Sequence, residues 1–252
     1  MIELIDLTKC YGRLVAVEGL SLRVEPGEIF GFLGPNGAGK TTTVKMMAGI
    51  LRPTRGRGVL GGHDLEREPV AAKSLFGYIP DRPFLYQKLT AREYLRFVGA
   101  LRGLDGPRAT DRMEELLRLF ELTKWGDELV EGFSHGMRQR LVLAGALLPC
   151  PRIIIVDEPM VGLDPKGVRL VKGIFREMAA QGASIFMCTH SLEIAEEMCH
   201  RVAILQEGKI LAQGTLSELR RISGSEGERL EEIFLKLTGA EDLRAAIEAV
   251  RT

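Results

Sequence analysis

The sequence has little that would staple a chain together or anchor it. Its four cysteines, Cys10, Cys150, Cys188 and Cys199, show no CxxC and no metal-ligand spacing, which argues against a disulfide scaffold or a zinc module. No secretory leader is visible, so the thiols are expected to be reduced and buried. Neither sign of charge is in excess, because 34 Lys and Arg balance 34 Asp and Glu. No basic stretch is dense enough to hold a polyanion along its length, so nucleic acid is not expected as a partner. Long hydrophobic runs are missing too. The longest, "LVLAGALLPCP" at 141–151, is broken by Pro149 and falls well short of the ~20 residues that a membrane span needs. Internal repeats and low-complexity tracts are also absent. What remains is a chain of 252 residues, long enough to bury its own core as one large domain with two lobes.

Strand and helix patterns alternate, as in a parallel sheet covered on both faces. The candidate strands are 28–34, 75–80, 152–158, 184–190, 201–207 and 209–214. Before them, "IELIDLTK" and "AVEGLSLRVEP" predict short antiparallel strands in a side sheet. Residues 85–150 read as mostly helical, with "TARE" at 90–93 supplying a capping box, and form an inserted second lobe. After "GSEGER" at 224–229, Leu230, Ile233, Phe234 and Leu237 make one helical stripe and Leu243, Ile247 and Val250 a second. Two helices folded back on the core explain these stripes, with a partner surface as the alternative. The fold expected is therefore α/β with a mostly parallel sheet, an N-terminal antiparallel subdomain and an inserted helical subdomain. The boundaries are 1–222 for the main domain and 223–252 for a helical tail.

The stretch "GPNGAGKTTT" begins at Gly34, at the end of the 28–34 strand. Gly34, Gly37 and Gly39 lack a Cβ, so the backbone can turn with its N–H groups inward at the start of the next helix, where an anion is favoured. The spacing matches G-x-x-x-x-G-K-[ST]. Residues Gly34, Pro35, Asn36, Gly37, Ala38, Gly39, Lys40, Thr41 and Thr42 are thus expected to cradle a phosphate chain, with Lys40 on the β- and γ-phosphates and the Thr41 hydroxyl on Mg²⁺.

In an open parallel sheet, ligands sit beyond the carboxyl ends of the strands. "IIIVDEP" brings Asp157 and Glu158 to that edge. Beside a phosphate loop, Asp157 suits Mg²⁺ held through water, and Glu158 suits a general base on an attacking water. A solvated strand end would look the same. His190 closes "SIFMCTH" at the same edge, before Ser191 as N-cap of the next helix; a structural histidine is the alternative there.

Together these motifs resemble the nucleotide-binding subunit of an ATP-binding cassette (ABC) transporter over about residues 2–222. Tyr11 stands at the adenine-stacking position. "GPNGAGKTT" corresponds to Walker A, "IPD" to the Q-loop, "FSHGMRQR" to the signature, "IIIVDEP" to Walker B, "VGLD" to the D-loop and "CTH" to the switch-histidine loop. The resemblance implies an ATPase that uses ATP and Mg²⁺. Two sites form across a head-to-tail dimer of identical or homologous cassettes, in which Ser134 and Gly136 reach the γ-phosphate held by the other chain. Asp164 is implied to link the two sites. The dimer would energise a separate transmembrane permease, and the subunit would lie in the cytoplasm on the inner face of the membrane.

The sequence departs from the family's usual pattern at His135 and Met137 in the signature and at Asp81 in the Q-loop. "SHGMRQR" and the tail "LEEIFLKLTG" are similar to a branch of drug, lipid and polysaccharide exporters, which points to export. Asp81 is a further candidate Mg²⁺ ligand through water, or the first residue of the turn "DRPF". Phe84, Leu85, Tyr86 and Leu89 are expected to line a groove for a helix of the membrane subunit; packing within the helical lobe would use the same residues. Two other readings stay open: a nucleotide-sensing subunit that hydrolyses slowly, and a soluble cassette ATPase that does not transport.

Overall fold

The computed structural model describes residues 1–82, 84–224 and 227–239. Two sheets organise the chain. The first is antiparallel, in the order β2-β1-β4-β5, from β1 (Ile2–Tyr11), β2 (Leu14–Val24), β4 (Arg55–Leu60) and β5 (His63–Asp64). The second runs β10-β9-β3-β8-β7-β6, from β3 (Ile29–Leu33), β6 (Phe76–Ile79), β7 (Ile153–Asp157), β8 (Ser184–Cys188), β9 (Arg201–Gln206) and β10 (Lys209–Gly214). Its pairs are parallel except β10 with β9. The side sheet is larger than the sequence suggests, because β4 and β5 join it. "RGRGVL" carries no strand signal of its own, since glycine is depleted in strands. Here Gly56 has φ of 78°, and a Cβ on it would fall 2.1 Å from the Asp6 carbonyl oxygen, so only glycine fits this approach to β1.

Strand alternation sorts the core. On β7, Ile153 and Ile155 belong to one apolar cluster with Phe30, Phe32, Phe186 and Cys188, under α1 (Lys40–Met47). Ile154 and Val156 belong to the opposite cluster with Ile185 and Met187. That second cluster continues into α3 (Ala91–Leu101), α4 (Gly106–Leu119) and α5 (His135–Leu147) through Leu95, Leu117 and Leu141. These three helices lie in sequence between β6 and β7, which pair directly. Thr90 caps α3 in a capping box with Glu93, as the sequence indicates. Between the sheets, α2 (Pro69–Ser74) leads into β6, while α6 (Pro165–Ala180) connects β7 to β8. The remaining helices are α7 (Leu192–Met198), α8 (Leu216–Ser223) and α9 (Leu230–Thr238). Leu230 and Ile233 of α9 are buried against Leu33, Ile204 and Leu219, so the first tail stripe folds back on the core. The second stripe lies outside the described residues.

Two expectations are corrected. Leu85 is only 6% exposed and packs with Leu95 and Leu117, so it belongs to the helical lobe's core and not to a surface groove. Of the cysteines only Cys188 is fully buried; Cys10 and Cys199 are partly exposed and Cys150 is exposed. Cys150 leaves the end of α5 with φ of 49°, a turn conformation that carries its side chain out of the core.

Candidate nucleotide site

The loop after β3 is shaped by contacts that no Cβ would permit. A Cβ on Gly34 would lie 2.4 Å from the Leu205 carbonyl oxygen. Gly39, with φ of 104°, would place one 2.5 Å from the Ala16 oxygen. Gly39 is also the N-cap of α1, and no side chain caps that helix, which leaves its first N–H groups and positive end to an anion. Lys40 Nζ donates to the Gly34 and Pro35 carbonyls at 2.6 and 2.9 Å. The ammonium is thereby held over the loop in which phosphates would lie.

Opposite the loop, parity directs the carboxylates. Asp157 follows Ile153 and Ile155 onto the α1 face, is 4% exposed, and accepts from the Thr41 hydroxyl at 3.3 Å. Burial raises its pKa above the usual carboxylate value, a shift opposed by hydrogen bonds from Cys188 and Thr41 and reinforced by the charges of Glu158 and Asp81. Glu158 turns to the other face with φ of 53°, a costly conformation for a residue with a side chain. Its Oε2 accepts from the Thr189 hydroxyl at 3.0 Å, and its Oε1 accepts from the His190 N–H at 2.8 Å and lies 2.7 Å from His190 Nδ1. Thus Glu158 and His190, distant in sequence, form one pair at the strand ends.

These residues share an open cleft of about 670 Å³ lined by Lys40, Thr41, Thr42, Asp157, Glu158 and His190, with Tyr11 and Asp81 also on its wall. Tyr11 is 48% exposed and has Lys9 Nζ 5.4 Å from its ring centroid. Asp81 raises the pKa of Asp157 by its charge. Among the described residues no group of three or more His, Cys, Asp or Glu is arranged to hold a metal. The Thr41 hydroxyl beside a buried carboxylate nevertheless fits a divalent ion that draws its other oxygens from phosphates and water, as Mg²⁺ does.

Ser134 and Gly136 are elsewhere and do not line the cleft. Ser134 is the N-cap of α5, accepting from the Met137 N–H at 3.3 Å, as its place before an apolar helix indicates. The D-loop packs on this segment within the same chain: a Cβ on Gly162 would lie 2.1 Å from the His135 ring, and one on Gly136 2.8 Å from the Gly162 oxygen. Asp164 Oδ1 accepts from the Gly167 N–H at 2.9 Å, capping α6, and from Arg140 at 2.7 Å. In this single chain its carboxylate serves intrachain contacts. Sequence reasoning gave no role to Thr189. The signal available was its position, two residues after Met187 on the face that also carries Glu158.

The family model described as ABC transporter matches residues 17–161. "Daunorubicin resistance ATP-binding protein DrrA3" of Streptomyces coeruleorubidus is 38% identical over 226 residues, covering 90% of this chain and 71% of that protein. "Nod factor export ATP-binding protein I" of Paraburkholderia xenovorans is 39% identical over 233 residues, covering 92% and 76%. Among solved structures, "Structure of ATP binding subunit of ABC transporter" superposes with a TM-score of 0.91 at 36% identity, covering 94% of this chain and 99% of that one. "Dimeric Structure of MJ0796, a Bacterial ABC Transporter Cassette" gives 0.79 at 24% identity, covering 86% and 99%, and shares the fold.

Proposed function

Because the chain belongs to the ABC transporter family, as one of its ATP-binding and ATP-hydrolysing subunits that energise a transporter, we propose that it drives export by closing on ATP as a dimer. The observation that carries this reading is that Lys40, Thr41, Asp157, Glu158 and His190 all line one cleft, while Ser134 caps a helix outside it. The cleft alone holds one side of a triphosphate. A second cassette, identical or homologous, would present Ser134, Gly136 and the N-terminus of its α5 to the exposed γ-phosphate.

In this mechanism Tyr11 stacks on adenine, residues 34–42 cradle the phosphates, and Thr41 with Asp157 would hold Mg²⁺, Asp81 assisting through water. A divalent ion held by these residues would supply positive charge against the negative charge of the phosphoryl group. Glu158 accepts the proton of the attacking water, while Lys40 and His190 stabilise charge on the transferred phosphoryl group. The names of the resistance and export relatives and the "SHGMRQR" signature support export.

No helix among the described residues is long and apolar enough to cross a membrane. The proposal includes a separate transmembrane subunit, with this chain in the cytoplasm on the inner face of the membrane, as the resemblance to transporter ATP-binding subunits implies. The surface proposed to meet that subunit is aromatic. Phe84 and Tyr86 are 82% and 50% exposed and meet edge to face at 6.0 Å between centroids, and Tyr86 contacts Phe97 at 5.2 Å. Replacing Phe84 and Tyr86 with Ser is expected to abolish co-purification with the membrane subunit while ATP binding and thermal stability persist. Retained co-purification would place the docking surface elsewhere. Leu85 is unsuitable for this test, since emptying a buried site costs about 2–5 kcal/mol of stability.

Turnover discriminates among the readings. A steady ATPase rate that rises when the membrane subunit is present supports the transporter mechanism. Tight ATP binding with negligible hydrolysis, with or without a membrane subunit, would favour a nucleotide-sensing role.

A further inference from the structure

Thr189 is 2% exposed, yet its side chain is polar and hydrogen-bonded on both sides. Its Oγ1 lies 3.0 Å from Glu158 Oε2 and accepts from the Ser191 N–H at 3.1 Å. A hydroxyl carries one proton. With the Ser191 N–H donating to the oxygen, that proton is directed to Glu158.

The sheet register explains the meeting. Val156 pairs with Met187 and Asp157 with Cys188, so the next residues along, Glu158 and Thr189, leave two neighbouring strand ends, and their side chains meet there at 3.0 Å. Asp157 instead accepts from Thr41 on the α1 side. The two adjacent carboxylates are therefore served by different neighbours.

Glu158 needs such support. Its backbone is held at φ of 53°, with its N–H donating to the Cys188 carbonyl at 2.9 Å. Oε1 is engaged by His190 and Oε2 by Thr189. With partners on both oxygens the plane of the carboxylate is set, and because Oε1 is met twice by His190 while Oε2 is met once by Thr189, a lone pair remains on Oε2 for water.

We infer that Thr189 is a positioning residue for ATP hydrolysis, fixing through its hydroxyl the Glu158 oxygen that His190 does not touch. The inference rests on the reading of Glu158 as general base. It also gives α7 a part in the site, because the N–H of Ser191, the cap of that helix, orients the hydroxyl.

The test uses the purified full chain and MgATP. Thr189→Val keeps the shape and removes the hydroxyl, Thr189→Ala removes it with less volume, and Thr189→Ser keeps it. Val and Ala are expected to lower kcat about tenfold, the size of one hydrogen bond to a charged group, with KM for ATP within about twofold of the parent and Ser restoring most of kcat. Adding Thr189→Val to Glu158→Gln is expected to cause no further loss, because the residue acts through Glu158. Full kcat in Val and Ala, or a Ser variant as impaired as Val, overturns the inference, and so does an additional loss in the double variant. Normal turnover in Glu158→Gln alone would instead remove the base itself, and the inference with it.

Discussion

Glu158→Gln is expected to lower ATP turnover by about a thousandfold, within the range for a lost general base, while ATP affinity stays within a few-fold of the parent. The amide keeps the size and shape of the carboxylate, and its oxygen still accepts from the Thr189 hydroxyl or the His190 N–H, which hold Glu158 at 3.0 and 2.8 Å. It cannot accept a proton from water. Binding groups are untouched, since Lys40 and Thr41 lie on α1. The variant should therefore stall after ATP has closed the dimer. Size-exclusion chromatography in MgATP should show a dimer that the parent forms only transiently, and single-turnover assays should show retained ATP. Undiminished turnover would exclude Glu158 from its assigned part.

Lys40→Met is expected to have a comparable effect one step earlier, at binding. Lys40 Nζ sits 2.6 and 2.9 Å from the Gly34 and Pro35 carbonyls, over the loop whose Gly34 and Gly39 admit no Cβ. Replacing this cation removes charge-assisted hydrogen bonds to phosphate, each worth about 1.5–3 kcal/mol, so ATP affinity should fall by about a hundredfold. Thermal unfolding checks this. Without nucleotide the variant should melt close to the parent, because Pro35 is exposed, so that water can take the place of the ammonium at its carbonyl. With ATP the parent gains stability as its site fills, and the variant should gain little at the same concentration. An ATP-induced shift equal to the parent's would show that the phosphates lie elsewhere.

Much of this site is legible because strands carry their information at period two. "IIIVDEP" predicts a buried strand ending in two carboxylates, and the alternation of Ile153 and Ile155 against Ile154 and Val156 sends Asp157 towards Thr41 and Glu158 towards His190. Helix caps are equally local, which is why Thr90, Ser134 and Asp164 are found where a polar residue precedes a helical pattern. What is not legible depends on partners distant in sequence. β4 is glycine-rich because Gly56 must pass the backbone of Asp6, a demand its own residues do not announce. Leu85 sits among exposed aromatics in sequence, and only the helical lobe packed around it reveals a core residue. The exposure of Cys150 at a left-handed turn likewise follows from the path of the chain. Thr189 shows both sides of this: its parity is written in the strand, its meaning only in its contact with Glu158.

Hydrolysis by this mechanism requires one enclosure, in which the Lys40 loop of one chain and Ser134 of another hold a single ATP between them. Mixing two defective chains in the Glu158→Gln background tests it directly, one carrying Lys40→Met and the other Ser134→Glu, followed by measurement of ATP retained with the dimer peak in MgATP. Neither chain alone should retain ATP, because every site in either homodimer lacks one half. The mixture should retain about one ATP per mixed dimer, the single intact site that trans assembly creates. A mixture that retains no more than its parents, or a Ser134→Glu chain that retains ATP by itself, would contradict the account.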